Sequence, residues 1–214
     1  MATDVSCSPE SAGQCVVMAA ASGGIQAFEQ ILSALNPPVP PIIVIQRIHP
    51  DYAGQFSERL QRVCSLSVKL AAEADQVAAD QILVTPGDCH MQLVGYPPRA
   101  RIRLCDDPQL GRYKPSFDVL FRSVAQIYGR DAVGILLTGM GRDGVDGCKA
   151  ILAAGGLTLG QNQASSILYG PSKIALAEGA LSAQFALDEL PGILQNLPAY
   201  RDELETRSDR CRAP

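Results

Sequence analysis

The chain of 214 residues is 47% hydrophobic and carries a net charge of −4, from 18 lysines and arginines against 22 acidic residues. This length favours one domain with a continuous core, and the acidic balance argues against a nucleic-acid surface. No apolar run approaches the roughly 18 residues that a membrane span needs, and the N-terminus has no secretory signal pattern. We therefore expect a cytoplasmic protein without membrane insertion.

The cysteines and histidines limit the chemistry that the chain can perform. The seven cysteines are an odd number without C-x-x-C spacing, so we expect reduced thiols rather than a disulfide framework. Only His49 and His90 can serve as a histidine general base. Cys89 adjoins His90, but neighbours on a strand point to opposite faces, so the pair is weak evidence for a metal site or a thiol nucleophile. We expect no metal and no cofactor.

The first third of the chain alternates between apolar runs and helical periodicity. Residues 15–20 are continuously apolar, which is typical of a strand buried on both faces. A helix follows the pair Gly23-Gly24 and ends before Pro37-Pro38. Residues 41–46 predict a second buried strand, and residues 51–64 predict a second helix.

The middle third predicts short strands separated by proline-containing turns, which we interpret as hairpin-like antiparallel additions to the sheet. These strands are expected at residues 68–71, 82–85, 90–94 and 100–105.

Helices and strands then alternate again, with a helix at 116–128 and a buried strand at 132–137. Further elements are expected at 143–154 (a helix closed by Gly155-Gly156), 157–161 (a strand), 172–178 (a helix) and 187–197 (a helix). The predicted fold is an α/β doubly wound, mostly parallel sheet with helices on both faces and an antiparallel hairpin addition. The predicted domain covers 15–198, between a flexible N-terminus at 1–14 and a flexible tail at 199–214.

Ligands in such folds gather at the carboxyl ends of the strands, where three polar loops fall, at 20–24, 46–50 and 138–144. Ser22, His49 and Asp143 in these loops have the residue types of a hydrolase triad. Each also has a simpler interpretation: Ser22 as a helix N-cap, His49 as an exposed loop residue, and Asp143 as an acid at a helix N-terminus. The glycine pair completes no G-x-G-x-x-G, so a nucleotide site is set aside.

Several segments together resemble the catalytic domain of CheB-type protein-glutamate methylesterases of bacterial chemotaxis, over residues 15–197. The most specific stretch, Leu136-Leu137-Thr138-Gly139-Met140-Gly141-Arg142-Asp143-Gly144, is similar to LTGMGxDG of that family. Four other segments support it: Ser57-Glu58-Arg59-Leu60, Thr85-Pro86-Gly87-Asp88-Cys89-His90-Met91, Lys114-Pro115-Ser116-Phe117-Asp118-Val119-Leu120-Phe121 and Gln161-Asn162-Gln163-Ala164-Ser165-Ser166. The resemblance implies a fold in which a Ser-His-Asp triad hydrolyses glutamyl methyl esters on chemoreceptors.

This sequence departs from the family pattern at two triad positions. The family reads G-A-S-x-G-G in the first loop, and Ala21 stands at the nucleophile position, with Ser22 one place late. The family reads Q-H-x-x-P in the second loop, and Arg47 stands at the base position, with His49 two places late. Asp143 keeps its place. A third departure is Gly170-Pro171-Ser172, where the family has G-M-P.

Alanine has no nucleophilic atom, and arginine, with a pKa above about 12, accepts no proton at neutral pH. The resemblance therefore implies a catalytically degenerate, stand-alone domain that binds chemoreceptor cytoplasmic helices or chemosensory array proteins. The alternative is an active ester hydrolase with a shifted triad of Ser22, His49 and Asp143. For the degenerate site we predict a replacement contact, in which Arg47 forms a charge-assisted pair with Asp143 where the histidine-aspartate hydrogen bond would be.

The resemblance also places Met140, Gly23, Gly24 and His90 in the substrate and oxyanion region. Family enzymes carry a receiver domain that regulates the active site, whereas about 14 residues precede the first predicted strand here. We therefore expect no regulation in cis, although a separate receiver-domain protein could dock.

Overall fold

The computed structural model describes residues 13–212, so the N-terminus predicted to be flexible lies, except for its last two residues, outside the described residues. The strands are β1 (Cys15–Ala20), β2 (Ile42–Gln46), β3 (Ser67–Leu70), β4 (Gln81–Val84), β5 (His90–Val94), β6 (Arg101–Cys105), β7 (Ala132–Leu136), β8 (Leu157–Gln161) and β9 (Ala183–Phe185). The helices are α1 (Gly24–Ser33), α2 (Pro50–Val63), α3 (Phe117–Tyr128), α4 (Val145–Ala153), α5 (Pro171–Ala177), α6 (Leu190–Gln195) and α7 (Leu197–Arg212).

Seven of these strands form one parallel sheet in the order β3-β4-β2-β1-β7-β8-β9. The chain builds outward from β1 to one side and then returns to its other side with β7. Alternate side chains of β1 enter two separate cores, with Val17 in the core beneath α3, α4 and α5 and Met18 in the core beneath α1, α2 and α6. This arrangement confirms the doubly wound α/β fold, and it explains why β1 is continuously apolar.

The prediction of antiparallel pairing is confirmed for two of the four short strands and is wrong for the other two. Strands β5 and β6 pair antiparallel in a separate two-stranded sheet that packs against α3. Strands β3 and β4 instead run parallel at the edge of the main sheet. Their connection crosses to the hairpin, where the Ala74 and Val77 amides donate to the Ile102 and Ala100 carbonyls. That crossover returns the chain to the same end of the sheet, so β4 enters in the same direction as β3.

The C-terminal segment is helical where the sequence predicts a flexible tail. One residue, Asn196, separates helix α7 from α6. Two of its side chains, Tyr200 and Leu204, are half-buried against the core beneath α1. An i,i+4 ion pair joins Glu203 to Arg207. Apolar contacts with the core and charge pairing along the helix explain why this charge-rich segment is helical.

The register of the sheet brings the three polar loops together at its carboxyl edge. Ala20 stands beside Gln46 in the parallel pair β1–β2, and the Arg47 amide continues the ladder by donating to the Ala20 carbonyl over 3.0 Å. On the other side of β1, the Ala21 amide donates to the Thr138 carbonyl over 3.0 Å. The ends of β1, β2 and β7 therefore form one continuous site.

Candidate functional site

The loop after β1 presents a methyl group at the place where a nucleophile was expected. Ala21 is 9% exposed, and a Cβ added at Gly139 would lie 3.0 Å from its Cβ. The Ala21 carbonyl accepts hydrogen bonds from Gln46 Nε2 (2.9 Å) and from the Gly24 amide (3.0 Å). The backbone of this turn is therefore fixed from two sides, while its side chain offers no reactive atom.

Gly23 and Gly24 are both required by the geometry of this turn. Gly23 has a φ of 82°, which side-chain-bearing residues rarely adopt, and an added Cβ would meet Ile167 Cδ1 at 2.8 Å. A Cβ added at Gly24 would meet Gln46 Oε1 at 2.1 Å and Ala20 Cβ at 2.4 Å. Close packing of α1 onto the sheet is therefore sufficient to explain both glycines, without any role in binding a ligand.

Ser22 and His49 both have contacts that do not involve Asp143. Ser22 is exposed, and its carbonyl accepts from Thr138 Oγ1 over 3.0 Å. His49 caps α2: its Nδ1 accepts from the Asp51 amide over 3.4 Å, and its ring meets Tyr52 edge-on. Within residues 13–212, no hydrogen bond joins Ser22, His49 and Asp143 to one another.

Arg47 forms the predicted pair with Asp143, through its Nη2 and the Oδ2 of the carboxylate, and this prediction is confirmed. The guanidinium carbon lies 4.2 Å from the ring centroid of Tyr113 and 4.5 Å from that of Phe117. Such distances are typical of cation–π contacts. The arginine is thus held in one position by an ion pair and two aromatic rings.

Asp143 is the most heavily hydrogen-bonded side chain of the site, and only 5% of its side chain is exposed. Its Oδ1 accepts from the Ser116 hydroxyl (3.0 Å) and the Asp118 amide (3.2 Å). Its Oδ2 accepts from the Phe117 amide (2.9 Å) and from Arg47. The carboxylate therefore caps the N-terminus of α3, although it belongs to the loop that precedes α4.

Asp118 performs the reciprocal function for the neighbouring helix. Its Oδ1 accepts from the Gly144 amide over 2.9 Å and from the Gly147 amide over 2.7 Å, at the start of α4. Burial raises the pKa of the Asp118 carboxyl, the Gly147 amide opposes that shift, and the charge of Asp143 adds to it. Helices α3 and α4 are thus joined by an exchange of caps, with Asp143 on one side and Asp118 on the other.

His90 lies inside the protein rather than on the surface of the site. It is fully buried at the start of β5, and a Cβ added at Gly111 would lie 3.4 Å from its Cε1. Neither ring nitrogen has a hydrogen-bond partner among the described residues. Burial, followed by the positive charge of Lys114, lowers the pKa of His90, because both effects disfavour the imidazolium.

The buried His90 gives the protein a stability that declines in mild acid. The unfolded chain takes up a proton near the ordinary pKa of about 6.5, whereas folded His90 resists it, so folding is weakened as the pH falls below that value. We expect the His90→Leu variant to lose less unfolding free energy between pH 7.5 and 5.5 than the wild-type protein does. Urea unfolding at both pH values measures this, and equal losses in the two proteins would contradict it.

The loop after β7 places Met140 at the surface, with 64% of the residue exposed. Its backbone amide, like that of Gly141, has no hydrogen-bond acceptor among the residues described. A Cβ added at Gly170 would lie 2.5 Å from the Gly139 carbonyl oxygen. The segment 170–172 therefore keeps close contact with this loop despite its departure from the family pattern.

A groove of about 480 Å³ opens beside Asp143. Its walls come from the loop before α3, from α3 itself, from the loop before α4 and from α5; the lining residues are Leu110, Gly111, Arg112, Tyr113, Ser116, Asp118, Arg122, Gly141, Arg142, Asp143 and Ile174. The part played by Tyr113 and Ser116 was missed in the sequence, although Ser116 lies in a segment that carries part of the family resemblance and Tyr113 directly precedes that segment.

Residues 13–212 contain neither a metal-binding cluster nor a membrane-spanning helix. In that part of the chain, no cluster of three or more histidine, cysteine, aspartate or glutamate residues has the geometry to hold a metal ion. No helix there is both long and apolar enough to cross a membrane. Cys15, Cys64, Cys89, Cys105 and Cys148 are free thiols, as expected for these five positions.

Fold and site together define a doubly wound α/β domain with its candidate functional loops at the carboxyl edge of a parallel sheet. Residues 16–194 match the model of the family described as "CheB methylesterase". The solved structure of the CheB methylesterase catalytic domain of Thermotoga maritima is similar, with a TM-score of 0.83 and 25% identity, over 86% of this chain and 98% of that one. The chain belongs to the CheB methylesterase family.

Curated relatives agree with this assignment. The chain is 37% identical over 175 residues to a protein-glutamate methylesterase/protein-glutamine glutaminase of Yersinia pestis, covering 82% of this chain and 50% of the relative. It is 36% identical over 195 residues to the protein of the same name from Chromohalobacter salexigens, covering 91% and 54%. The chain thus spans about half the length of the curated relatives that it matches.

Proposed function

We propose that this chain is a non-hydrolysing CheB-type domain of a bacterial chemosensory system, which acts in the cytoplasm by binding rather than by catalysis. The observation that carries the proposal is the pair between Arg47 and Asp143. In a Ser-His-Asp triad the aspartate orients a histidine, and here an arginine occupies that acceptor. Ala21, on the adjacent strand end, supplies no nucleophile.

The surroundings of the site support a binding role. Met140 and Ile167 are 64% and 66% exposed, and Leu168 and Tyr113 also present apolar area to solvent. Ile167 lies against Gly23, and Tyr113 lies against Arg47, so these side chains border the site on two sides. Exposed apolar side chains grouped around a cleft are typical of protein-binding surfaces. We propose chemoreceptor cytoplasmic helices as the partner, with array proteins and a separate receiver-domain protein as further candidates.

The competing function is ester hydrolysis by Ser22, His49 and Asp143. The arrangement of the site argues against it, because the His49 ring is turned to Asp51 and every acceptor position of Asp143 is already used. A nucleophile and its base must lie within hydrogen-bond reach for catalysis, and misplacement by about 1 Å costs a large factor in rate.

We expect the wild-type protein to release no methanol above background from a methylated chemoreceptor fragment. An active family member under the same conditions supplies the positive control. Methanol release by this chain that disappears in a Ser22→Ala variant would establish the shifted triad and overturn the proposal. Direct binding of the receptor fragment in at least one of its modification states, measured by isothermal titration calorimetry, is the positive result that the proposal requires.

A further inference from the structure

The guanidinium of Arg47 is held in place but only partly used. Asp143 accepts one hydrogen bond from it, and its other acceptor positions are taken by Ser116, Phe117 and Asp118. A carboxylate has about four lone-pair sites, so Asp143 has no capacity left for a second bond from the arginine. The Arg47 Nε is buried without an acceptor among the described residues. Arginine and carboxylate here meet through one bond, where a two-bond pairing is common.

The positive charge of Arg47 is also incompletely neutralised. Asp143 shares its negative charge with the N-terminus of α3, through the amides of Phe117 and Asp118, where the helix dipole already favours an anion. The rings of Tyr113 and Phe117 fix the guanidinium, and about 25% of the Arg47 side chain is open to solvent. The site therefore presents a rigid cation whose unused donors suit a planar carboxylate.

The reactions for which the curated relatives are named indicate which carboxylate those proteins produce. Hydrolysis of a protein glutamate methyl ester, or of a protein glutamine amide, leaves the side-chain carboxylate of a glutamate in the partner protein. The ester and the amide are neutral, so their carbonyl oxygens can accept a hydrogen bond from Arg47 but cannot form an ion pair with it. Ala21 prevents this site from making the carboxylate, whereas Arg47 equips it to bind one.

We propose that Arg47 binds the free carboxylate of a glutamate side chain on the partner helix, so that the domain recognises the demethylated form of its partner. This inference rests on the proposed binding function and specifies what the site selects. The net charge of the chain is −4, which disfavours acidic partners in general. A preference for glutamate must therefore come from the local site.

The test uses one chemoreceptor cytoplasmic helical fragment in three forms, with its modification sites as glutamate, as glutamine or as glutamate methyl ester. We expect the glutamate form to bind the wild-type protein at least about tenfold more tightly than either neutral form, since hydrogen bonds to charged groups discriminate at this level. The preference should shrink as salt is raised, because the cleft is partly solvated. Isothermal titration calorimetry of the wild-type protein with the three forms measures this preference directly, before any variant is made.

Two variants then locate the preference. Arg47→Gln should reduce it to within about twofold, because the amide keeps hydrogen-bond donors but loses the charge. Arg99→Gln removes the same charge from an exposed position in the loop between β5 and β6 and should leave the preference intact. Thermal unfolding verifies that both variants are folded.

The possible failures are distinguishable. If no form of the fragment binds, the proposed binding function is overturned. If all three forms bind the wild-type protein equally, or a neutral form binds more tightly, binding stands and carboxylate recognition is overturned. If a folded Arg47→Gln protein keeps the preference, the carboxylate is recognised elsewhere and the assignment to Arg47 is wrong.

Discussion

The double change Ala21→Ser with Arg47→His is expected to convert the protein into an ester hydrolase. Serine at 21 supplies the missing nucleophile, and Gly139, which lies against this position, has no side chain to obstruct it. Histidine at 47 would meet the acceptor that Arg47 now uses on Asp143, which is the contact that orients the base in a triad. Loss of triad residues typically costs a factor of up to about a million, so partial recovery is measurable.

We expect methanol release from a methylated receptor fragment to rise at least about 100-fold above the wild-type background. Each single change should remain at background, because one lacks a base and the other lacks a nucleophile. Adding Ser22→Ala to the double variant should leave the new activity unchanged, which assigns it to residue 21. A folded double variant without activity would show that these two residues are not what separates this chain from an enzyme.

The largest loss of stability is expected for Asp143→Ala. Removal of the carboxylate leaves four donors without an acceptor in a site where Asp143 is 5% exposed, and one of these donors is the Arg47 guanidinium. Breaking a buried pair by removing one partner costs about 3–5 kcal/mol, and the cap of α3 is lost as well. For a protein of this size the melting temperature should fall by roughly 10 °C.

Urea unfolding and thermal unfolding followed by circular dichroism measure this effect. Asp51→Ala is the matched control, because the Asp51 carboxylate, like that of Asp143, lies at a helix N-terminus but is 81% exposed at its side chain, and its loss should cost less than about 1 kcal/mol. Asp143→Asn should fall between the two, since it keeps one acceptor oxygen. An Asp143→Ala protein within about 1 kcal/mol of wild type would show that the carboxylate has no capping role.

Local sequence patterns predicted most of the fold. The apolar run of β1 and the glycine pair after it define a buried strand and a tight turn by themselves. The pairing of Arg47 with Asp143 was predicted from the family resemblance, which places the two residues at the base and aspartate positions of the triad. The directions of β3 and β4 could not be predicted in this way, because they depend on how residues 71–80 cross to the hairpin and bond to it. Strand β9 is three residues long, which is too short for a periodic signal.

The site was predicted less completely because its key contacts join distant parts of the chain. Ser116 and Asp143 are 27 residues apart, and the stacking of Tyr113 on Arg47 depends on the path of the loop before α3. A sequence pattern indicates that Asp143 precedes a helix, but it does not indicate that the carboxylate turns away to cap a different one. His90 likewise reads as an ordinary strand residue, and only the packing shows it to be buried without partners.

The exchange of caps between α3 and α4 gives Asp143 a structural role that does not depend on ester hydrolysis. An aspartate whose carboxylate caps α3 contributes to folding whether or not the site hydrolyses an ester. The LTGMGxDG motif therefore identifies the scaffold and does not by itself identify a hydrolase. The residues equivalent to Ala21 and Arg47 must be examined together with the motif before a chain of this family is counted as a methylesterase.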